Sequence, residues 1–405
     1  MKKNLFYMLL VLAPLLFLCY CHMANRPVST PSSTSCQELA SDHIEPSSST
    51  PPSLKLYASG ACLMDTASGR ILYGKEESSP LPMASTTKIM TCILALENGD
   101  PQDPVTFSKK AASMPKVHLG AGSGKTFSLK DLLYSLMLES HNDTAVAIAE
   151  HIGGSVEGFA AMMNAKAGEL GMTRTNFVTP NGLDADGHSS TPEDMCRLAS
   201  YACQNKEFLE IIGTPSRTIR DSTGKCSYSL TNHDAFLTSY NGAIGIKTGF
   251  TGKAGYCFVG AATRGDLTLA SCVLASGWPP NKSYKWADTK TLMDFGFKHF
   301  SKRKIPIKDL SSFHIKVNEG KSDSTGVISP DIPHCLLSSF DTIDVEYNIP
   351  TQLNAPVRKD IPIGTITLYI NSVPAGNYEV YPDSNIEKMD FSDLLYYTLR
   401  LFFSF

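Results

Sequence analysis

Several features that identify common protein classes are missing from this chain of 405 residues. Its 36 basic and 39 acidic side chains leave a formal charge of −3, so the sequence has no global basic field of the kind that nucleic-acid binding needs. Its eleven cysteines include no Cys-x-x-Cys pair and its ten histidines show no metal-ligand spacing, so we expect no metal site and no cofactor. With 42% hydrophobic residues, the chain can still bury the core of one large or two ordinary domains.

The first 24 residues have the layout of an export signal. Lys2 and Lys3 precede an apolar run over residues 5–21. This run contains Pro14 and is marginal for spanning a bilayer, so a cleaved signal peptide and a retained N-terminal anchor both stay open. In either case the lysines remain inside and the rest of the chain leaves the cytoplasm. Residues 25–54 are dominated by Ser, Thr and Pro and predict a flexible linker too polar to bury anything.

Residues 55–303 predict an α+β domain with an antiparallel sheet. Strand-like runs at residues 56–65, 71–74, 243–247, 256–263 and 267–275 enclose a helical middle. A mostly apolar helix is predicted from about Ser85 to Glu97. Ser128 and Thr191 have the sequence context of residues that begin helices, and residues 139–143 interrupt the helix that follows Ser128, where Asn142 or Asp143 could cap the next one.

The pattern changes after residue 303. Short alternating strands broken by Pro and Gly predict a small all-β domain over residues 304–384, with a continuation of the first sheet as the alternative. Residues 385–405 end in an amphipathic helix, which we expect to lie in a membrane interface, with packing on a domain as the alternative. Its apolar stripe consists of Phe391, Leu394, Leu395, Leu399, Phe402 and Phe405.

Ser85 and Lys88 form a Ser-x-x-Lys motif at the start of the predicted buried helix. Residues three apart on a helix face the same side, so the amine can reach the hydroxyl. A shielded lysine loses its proton more easily and can then take the serine proton during attack on a carbonyl. The helix N-terminus adds positive potential where an oxyanion would form. The pattern alone proves little, because it recurs at Ser113/Lys116, Ser222/Lys225 and Ser301/Lys304.

Two further motifs strengthen this hypothesis. Ser140-His141-Asn142 lies at the predicted helix break, where a hydroxyl and an amide can point into a cleft. Lys247-Thr248-Gly249 lies at the end of a strand and is followed by Phe250. Gly249 would let a ligand approach the strand closely, while Lys247 and Thr248 offer a cation and a hydroxyl to a carboxylate. Ser-x-x-Lys, Ser-x-Asn and Lys-Thr-Gly in this order are typical of penicillin-binding proteins and class A β-lactamases.

From about Tyr57 to its C-terminus, the sequence resembles the exported D-alanyl-D-alanine carboxypeptidases, which are low-molecular-mass penicillin-binding proteins. Besides the three motifs, the resemblance includes residues 82–91, 181–184, 187–191, 194–195, 247–251, 353–359 and 363–366. It implies a β-lactamase/transpeptidase-like catalytic domain, a β-rich C-terminal domain and a membrane-anchoring helix. It also implies a periplasmic enzyme at the outer face of the cytoplasmic membrane that acts on peptidoglycan stem peptides and is inhibited by β-lactam antibiotics.

The resemblance also assigns roles to individual residues. Ser85 would be the acylated nucleophile, Lys88 its base, and Ser140 the proton relay to the departing D-alanine. Asn142 would hold the peptide amide, and Lys247 with Thr248 would bind the terminal carboxylate, next to Gly249, which also belongs to the substrate-binding site. The backbone N–H groups of Ser85 and Phe250 would form the oxyanion hole. His141 departs from the glycine that is commoner at this position in the family, and we expect its side chain to point away from the cleft. We expect structural roles for Asp184 and His188.

The leading hypothesis is therefore a serine-type carboxypeptidase that removes the terminal D-alanine from peptidoglycan pentapeptides. A β-lactamase shares the motifs, but the sequence has no Glu-x-x-Leu-Asn segment to position a hydrolytic water, and a β-domain with a membrane helix would be unexplained. A catalytically weak peptidoglycan-binding protein is the non-enzymatic alternative.

Overall fold

The computed structural model of the chain describes residue 39, residues 41–47 and residues 51–403. The predicted export segment, residues 1–24, lies outside the described residues, as does most of the predicted linker. In the described part, residues 52–301 form one compact unit, and residues from 302 onwards form a second unit together with those before residue 52. The division falls within two residues of the predicted boundary at 303/304.

The described residues contain eighteen strands and ten helices. The strands are β1 (Asp42–Ile44), β2 (Gly60–Asp65), β3 (Ile71–Lys75), β4 (Pro104–Thr106), β5 (Thr126–Ser128), β6 (Ser216–Arg220), β7 (Ser227–Thr231), β8 (Ala243–Thr251), β9 (Gly255–Arg264), β10 (Leu267–Leu274), β11 (Ser301–Arg303), β12 (His314–Asn318), β13 (Ser324–Ile328), β14 (Cys335–Leu337), β15 (Ile343–Asn348), β16 (Gln352–Asn354), β17 (Gly364–Ile370) and β18 (Val373–Pro382). The helices are α1 (Lys88–Asn98), α2 (Lys109–Ala112), α3 (Leu129–Tyr134), α4 (Asn142–Gly153), α5 (Val156–Glu169), α6 (Pro192–Ala202), α7 (Lys206–Gly213), α8 (Phe236–Ser239), α9 (Tyr284–His299) and α10 (Phe391–Phe403).

A five-stranded antiparallel sheet forms the framework of the first unit. Its strand order is β3-β2-β10-β9-β8, so strands from the start of the unit pair with strands from its end around the helical middle. This arrangement confirms the predicted α+β class. Every residue of β2 is buried, as expected for a strand covered on both faces. β8 lies at one edge of the sheet, which leaves its outer backbone groups open to a partner.

Local sequence signals fix the helix starts that were predicted. The Ser128 side chain accepts a hydrogen bond from Asp131 N at 3.2 Å, and the Thr191 side chain accepts one from Asp194 N at 3.0 Å, with Pro192 in the first helical position. Both contacts satisfy backbone donors that a helix N-terminus leaves without partners. The predictions of helix starts at Ser128 and Thr191 are therefore confirmed.

The predicted break at residues 139–143 has an unusual form. A π-helical turn, Ser135–Glu139, continues α3, and Ser140 then adopts a left-handed conformation with φ 66°. The N-cap of α4 is His141, so the expectation that Asn142 or Asp143 caps this helix is wrong. Asp143 instead accepts hydrogen bonds from Leu119 N and Gly120 N at 2.8 and 2.9 Å, because a loop distant in sequence supplies backbone donors at this place.

The second unit contains its own seven-stranded sheet, with the order β1-β15-β17-β18-β13-β12-β16. Its inward-facing residues form a separate core that includes Ile315, Val345, Ile366, Leu368 and Val380. The β-rich character predicted for residues 304–384 is confirmed, and the alternative of a continuation of the first sheet is wrong.

One strand of this sheet comes from the region predicted to be a linker. β1 pairs with β15 in antiparallel register, with Ile44 opposite Ile343. Asp42 accepts a hydrogen bond from Tyr347 Oη at 2.9 Å and lies 2.9 Å from Lys308 Nζ. The prediction of a flexible linker over residues 25–54 is therefore wrong at residues 42–44. A polar segment can still form a strand, because strand pairing uses backbone groups that every sequence possesses.

The C-terminal helix α10 spans Phe391–Phe403, within the predicted segment. Several of its apolar side chains are exposed, among them Phe391 at 71% and Leu399 at 47%. None of the helices in residues 51–403 combines the length and apolar character that crossing a membrane would require.

Candidate active site

Ser85 and Lys88 meet where a short helical turn runs into α1. Ala84–Thr87 form a 3₁₀ turn, and Lys88 is the first residue of α1. Lys88 is fully buried, and its Nζ lies 2.8 Å from Ser85 Oγ. Ala84, directly before the serine, has a φ of 48°, a left-handed conformation that non-glycine residues rarely adopt and that is often found at functional sites. The structure thus brings the amine and the hydroxyl into hydrogen-bonding contact.

Two further acceptors surround the Lys88 amine. Asn142 Oδ1 lies 2.9 Å from Nζ, and the backbone oxygen of Asn181 lies 2.5 Å from it. The Asn181 contact was not predicted as part of the site. Gly182 allows it, because its backbone has a φ of 82° and an added Cβ would overlap the carbonyl group of Ala84. A sequence signal existed in the Asn-Gly pair, a common turn dipeptide, but it did not say which carbonyl group would face the lysine.

The surroundings of Lys88 favour its neutral form. Burial lowers the pKa of its amine well below the usual value, the charge of Lys247 lowers it further, and Asp143 opposes these effects. A neutral lysine keeps a lone pair that can accept the proton of the Ser85 hydroxyl. The pair therefore has the distance that a nucleophile and its base require, and burial shifts Lys88 towards the neutral form that a base needs.

Asn142 forms the helical wall of the site, and Ser140 lies two residues before it in the chain. The left-handed conformation of Ser140 separates the π-helical turn from α4 and leaves the residue half-buried. The backbone of Asn142 is fixed by a hydrogen bond from its N–H to Val117 O at 2.8 Å, and its side-chain Nδ2 donates to Pro115 O at 3.1 Å. Its Oδ1 is thereby directed at Lys88.

His141, between these two residues, belongs to the helical layer. Its Nδ1 lies 2.8 Å from Ser135 Oγ, which in turn contacts Thr144 Oγ1 at 2.9 Å. Only 8% of the residue is exposed, and this burial lowers the pKa of the ring to about 4. The ring is therefore neutral near pH 7, and its contacts fit an orientation away from the cleft.

The Lys247-Thr248-Gly249 segment supplies the opposite wall at the end of β8. An added Cβ at Gly249 would lie 3.0 Å from Ser85 N and 3.1 Å from Met83 O, so a larger residue would have to push the strand or the nucleophile turn aside by a few tenths of an ångström. Thr248 is half-buried, and Phe250 is 44% exposed beside Tyr256, with 4.7 Å between ring centroids.

Lys247 is buried, and its Nζ donates to Thr248 O at 3.3 Å. Burial lowers the pKa of this amine to about 8, with Asp234 opposing that effect and Lys285 adding to it. Lys247 therefore remains largely protonated at pH 7, as a residue that binds a carboxylate must be. Asp234, whose carboxyl pKa is raised by burial to about 6, was not identified from the sequence.

The open edge of β8 determines which backbone donors face the cleft. Ile246 N donates to Asp234 Oδ2 at 3.0 Å and therefore points away from β9. Since backbone groups alternate between the two sides of a strand, the N–H groups of Thr248 and Phe250 point the same way. The Phe250 N–H thus lies on the open edge of the strand, one residue after Gly249, which packs against Ser85 N.

Asp184 and His188 hold the loop around Asn181. Asp184 Oδ1 accepts a hydrogen bond from Thr251 Oγ1 at 2.9 Å, and His188 contacts Thr87 Oγ1 at 2.9 Å and Val178 N at 3.0 Å. These contacts fit the structural roles expected for both residues. Across residues 51–403 and the short described segment before them, no group of three or more His, Cys, Asp or Glu side chains is arranged to hold a metal ion.

Comparison with known proteins identifies the family. The model of the D-alanyl-D-alanine carboxypeptidase family matches residues 45–277, which include all three motifs. The chain belongs to this family. It is 29% identical to the D-alanyl-D-alanine carboxypeptidase DacF of Bacillus subtilis over 84% of this chain and 89% of that protein. It is 30% identical to the D-alanyl-D-alanine carboxypeptidase DacC of Escherichia coli over 81% of this chain and 84% of that protein.

Solved structures agree with the family assignment. The structure of a mutant of a DD-transpeptidase from Streptomyces is 32% identical in sequence to this chain, with a TM-score of 0.57. The match covers 61% of this chain and all of the transpeptidase. The structure of penicillin-binding protein 5 from Haemophilus influenzae matches this chain with a TM-score of 0.64, and the match covers 84% of this chain and all of that protein. At 24% identity this match concerns the fold alone. The predicted family and its fold are confirmed, and among the three functional alternatives the serine peptidase is the one that the comparisons support.

Proposed function

We propose that this chain is a serine-type carboxypeptidase that removes the terminal D-alanine from peptidoglycan pentapeptides through an acyl-enzyme on Ser85. The observation that carries this proposal is the 2.8 Å contact between Ser85 Oγ and the buried amine of Lys88. Family membership supplies the reaction class, and the contacts among Ser85, Lys88 and Asn142 support the roles of these three residues.

In the acylation step, Ser85 Oγ attacks the carbonyl carbon of the penultimate D-alanine while Lys88 Nζ takes the hydroxyl proton. The backbone N–H groups of Ser85 and Phe250 stabilise the oxyanion that develops. Collapse of the tetrahedral intermediate breaks the C–N bond; Ser140 gives its proton to the departing amine of D-alanine and takes one from Lys88, which becomes neutral again. Water then attacks the ester while Lys88 takes a proton from it, and Lys88 returns this proton to Ser85 Oγ as the ester bond breaks.

The remaining residues bind the substrate. Asn142 holds the peptide amide, and Lys247 with Thr248 binds the terminal carboxylate, with Gly249 keeping the strand close to the nucleophile. A strand-like peptide can pair with the open edge of β8, which presents regularly spaced backbone groups. A β-lactam carries an amide and a carboxylate in a comparable arrangement, so we expect it to acylate Ser85 as well.

Mass spectrometry after treatment with benzylpenicillin tests the nucleophile. We expect one covalent adduct on Ser85, none in Ser85→Ala, and an unchanged adduct in Ser222→Ala, which alters an exposed serine of the same Ser-x-x-Lys spacing. Release of D-alanine from a synthetic pentapeptide tests the reaction. An adduct that survives Ser85→Ala would refute the assignment, and rapid turnover of a chromogenic cephalosporin would favour a β-lactamase.

The proposed location is the periplasmic face of the cytoplasmic membrane, reached through the export signal in residues 1–24 and held by α10. Four described members of the predicted apolar stripe are exposed by 36–71%: Phe391, Leu394, Leu395 and Leu399. A helix with one exposed apolar face can bind in a membrane interface without crossing it. In a chain that begins at Asn25, removal of residues 390–405 should release the protein from liposomes in a sedimentation assay, whereas continued pelleting would refute the role of α10.

A further inference from the structure

The segment Thr231–Asp234 touches both walls of the active-site cleft. At its first end, Glu139 Oε1 accepts a hydrogen bond from Thr231 N at 2.7 Å, and Glu139 Oε2 lies 2.7 Å from Nε2 of His233. The N–H of His233 also donates to Leu138 O at 3.5 Å. Glu139 directly precedes Ser140, so these contacts fix the chain at the residue before the proposed proton relay.

The other end of the segment holds the strand of Lys247. Asp234 Oδ2 accepts a hydrogen bond from Ile246 N at 3.0 Å, and Oδ1 accepts one from Phe236 N at 2.9 Å. Ile246 directly precedes Lys247. The neighbouring Gly245 makes room for this carboxylate, because an added Cβ there would lie 2.8 Å from Asp234 Oδ2.

The middle of the segment is itself anchored. Asn232 Nδ2 donates to Ile212 O at 2.7 Å and to Thr214 O at 3.1 Å, both at the end of α7. Asn232 Oδ1 accepts the N–H of Asp234 at 3.0 Å. Four consecutive residues thus connect the residue before Ser140 with the residue before Lys247, although these two positions are far apart in the sequence.

We propose that Thr231–Asp234 is a positioning bridge that sets Ser140 against Lys247, with Glu139 and Asp234 as the carboxylates at its two ends. The proposal rests on the proposed function, in which Ser140 protonates the leaving group and Lys247 binds the carboxylate. Ser140 has a left-handed backbone that surrounding contacts must maintain, and its two neighbours, Glu139 and His141, supply contacts on either side of it. A catalytic group displaced by about 1 Å can lose roughly 100-fold in rate.

The two ends of the bridge should differ in their effect. Glu139 acts on the backbone next to Ser140, so its loss should lower mainly kcat. Asp234 acts on the strand of Lys247 and is also the negative charge that opposes the effects of burial and of Lys285 on that lysine. Its replacement by asparagine should therefore raise mainly KM, because the terminal carboxylate would bind less well.

The experiment measures kcat and KM on a synthetic pentapeptide, the melting temperature, and acylation of Ser85 by benzylpenicillin. Glu139→Ala should lower kcat about 10- to 100-fold, and Glu139→Gln should recover much of this because an amide oxygen can still accept the N–H of Thr231. Asp234→Asn should raise KM about 10-fold. His233→Ala removes an exposed ring, so this variant should fold normally even if Glu139→Ala does not. It should still lower kcat, because the ring no longer contacts Glu139.

Two controls are matched to these variants. Glu193 is a similarly exposed carboxylate that joins two segments, through Ser78 Oγ at 3.1 Å and Arg197 at 2.7 Å. Asp65 is a buried carboxylate that accepts two backbone N–H groups, from Ala67 and Ser68. Glu193→Ala and Asp65→Asn should change the melting temperature without a selective change in kcat or KM.

Unchanged kinetics in Glu139→Ala, His233→Ala and Asp234→Asn would overturn the bridge, as would losses of the same size in the controls. A wild-type chain that carries no Ser85 adduct would refute the proposed function, and the bridge with it. If the wild-type chain carries the Ser85 adduct but the variants have the same kcat and KM as wild type, the bridge alone is refuted.

Discussion

Replacing Asn142 with aspartate would test the base directly, because it places a negative charge beside Lys88 with almost no change in shape. Asn142 Oδ1 lies 2.9 Å from Lys88 Nζ. Two unit charges at this separation attract each other by about 6 kcal/mol at an effective dielectric constant of about 20. Since one pKa unit corresponds to about 1.4 kcal/mol, the charge would raise the pKa of Lys88 by up to about 4 units, less the energy needed to bury the new carboxylate.

The expected result is a shift in the pH dependence of acylation. Below its pKa, the neutral fraction of Lys88 falls about tenfold for each unit by which the pKa rises. Even half of the full electrostatic effect, about 2 pKa units, would reduce acylation on the acidic limb by roughly 100-fold.

The assay is the second-order rate of acylation by a fluorescent penicillin, measured from pH 5 to pH 10. The acidic limb of the Asn142→Asp curve should move to higher pH. In the control Asn142→Ala, the rate should fall through loss of the substrate contact, but the limb should not move upwards, because no charge is added. An unshifted acidic limb in Asn142→Asp would refute the role of neutral Lys88 as the base.

Two further predictions concern stability. Gly182→Ala should lower the melting temperature and abolish penicillin labelling together, because the new Cβ would overlap Ala84 and the backbone φ of 82° would by itself cost alanine about 1–3 kcal/mol. Full labelling at an unchanged melting temperature would contradict this. The free energy of unfolding should fall as the pH drops from 6.5 towards 4, and fall less in His141→Gln, because the buried ring, with its pKa of about 4, takes up its proton only after unfolding. Urea titrations should therefore give the free energy of unfolding a steeper dependence on pH in the wild type than in His141→Gln between pH 6.5 and pH 4. The same dependence in both chains would contradict the burial argument.

Contacts between residues close in sequence could be predicted well. The three-residue spacing of Ser85 and Lys88 places them on one side of a helical turn whatever surrounds it, and the structure has them 2.8 Å apart. The capping contact of Ser128 follows from the same kind of local rule. The strands of the central sheet were recognisable from their apolar runs and from the turn residues between them.

Contacts between distant segments could not be predicted in this way. The third partner of Lys88 is a backbone oxygen, that of Asn181, and a backbone oxygen has no residue type to recognise. Strand β1 is polar and was assigned to a linker, although it pairs with β15. Asp234 has no distinguishing neighbours in the sequence, and although Glu139 precedes the Ser-x-Asn motif, its partners Thr231 and His233 are about 90 residues away and meet it only when the chain folds.

The amino-acid sequence by itself determined the chemistry of this protein: a serine with a lysine three residues later, a Ser-x-Asn triplet and a Lys-Thr-Gly strand end, in the order that its family shares. Only the tertiary structure decided that Lys88 is buried, that Asn142 and Asn181 face its amine, and that Gly249 packs against Ser85. The physical reason is that local spacing fixes which groups share a helical turn, whereas burial and the charges around an amine depend on segments that meet only when the chain folds.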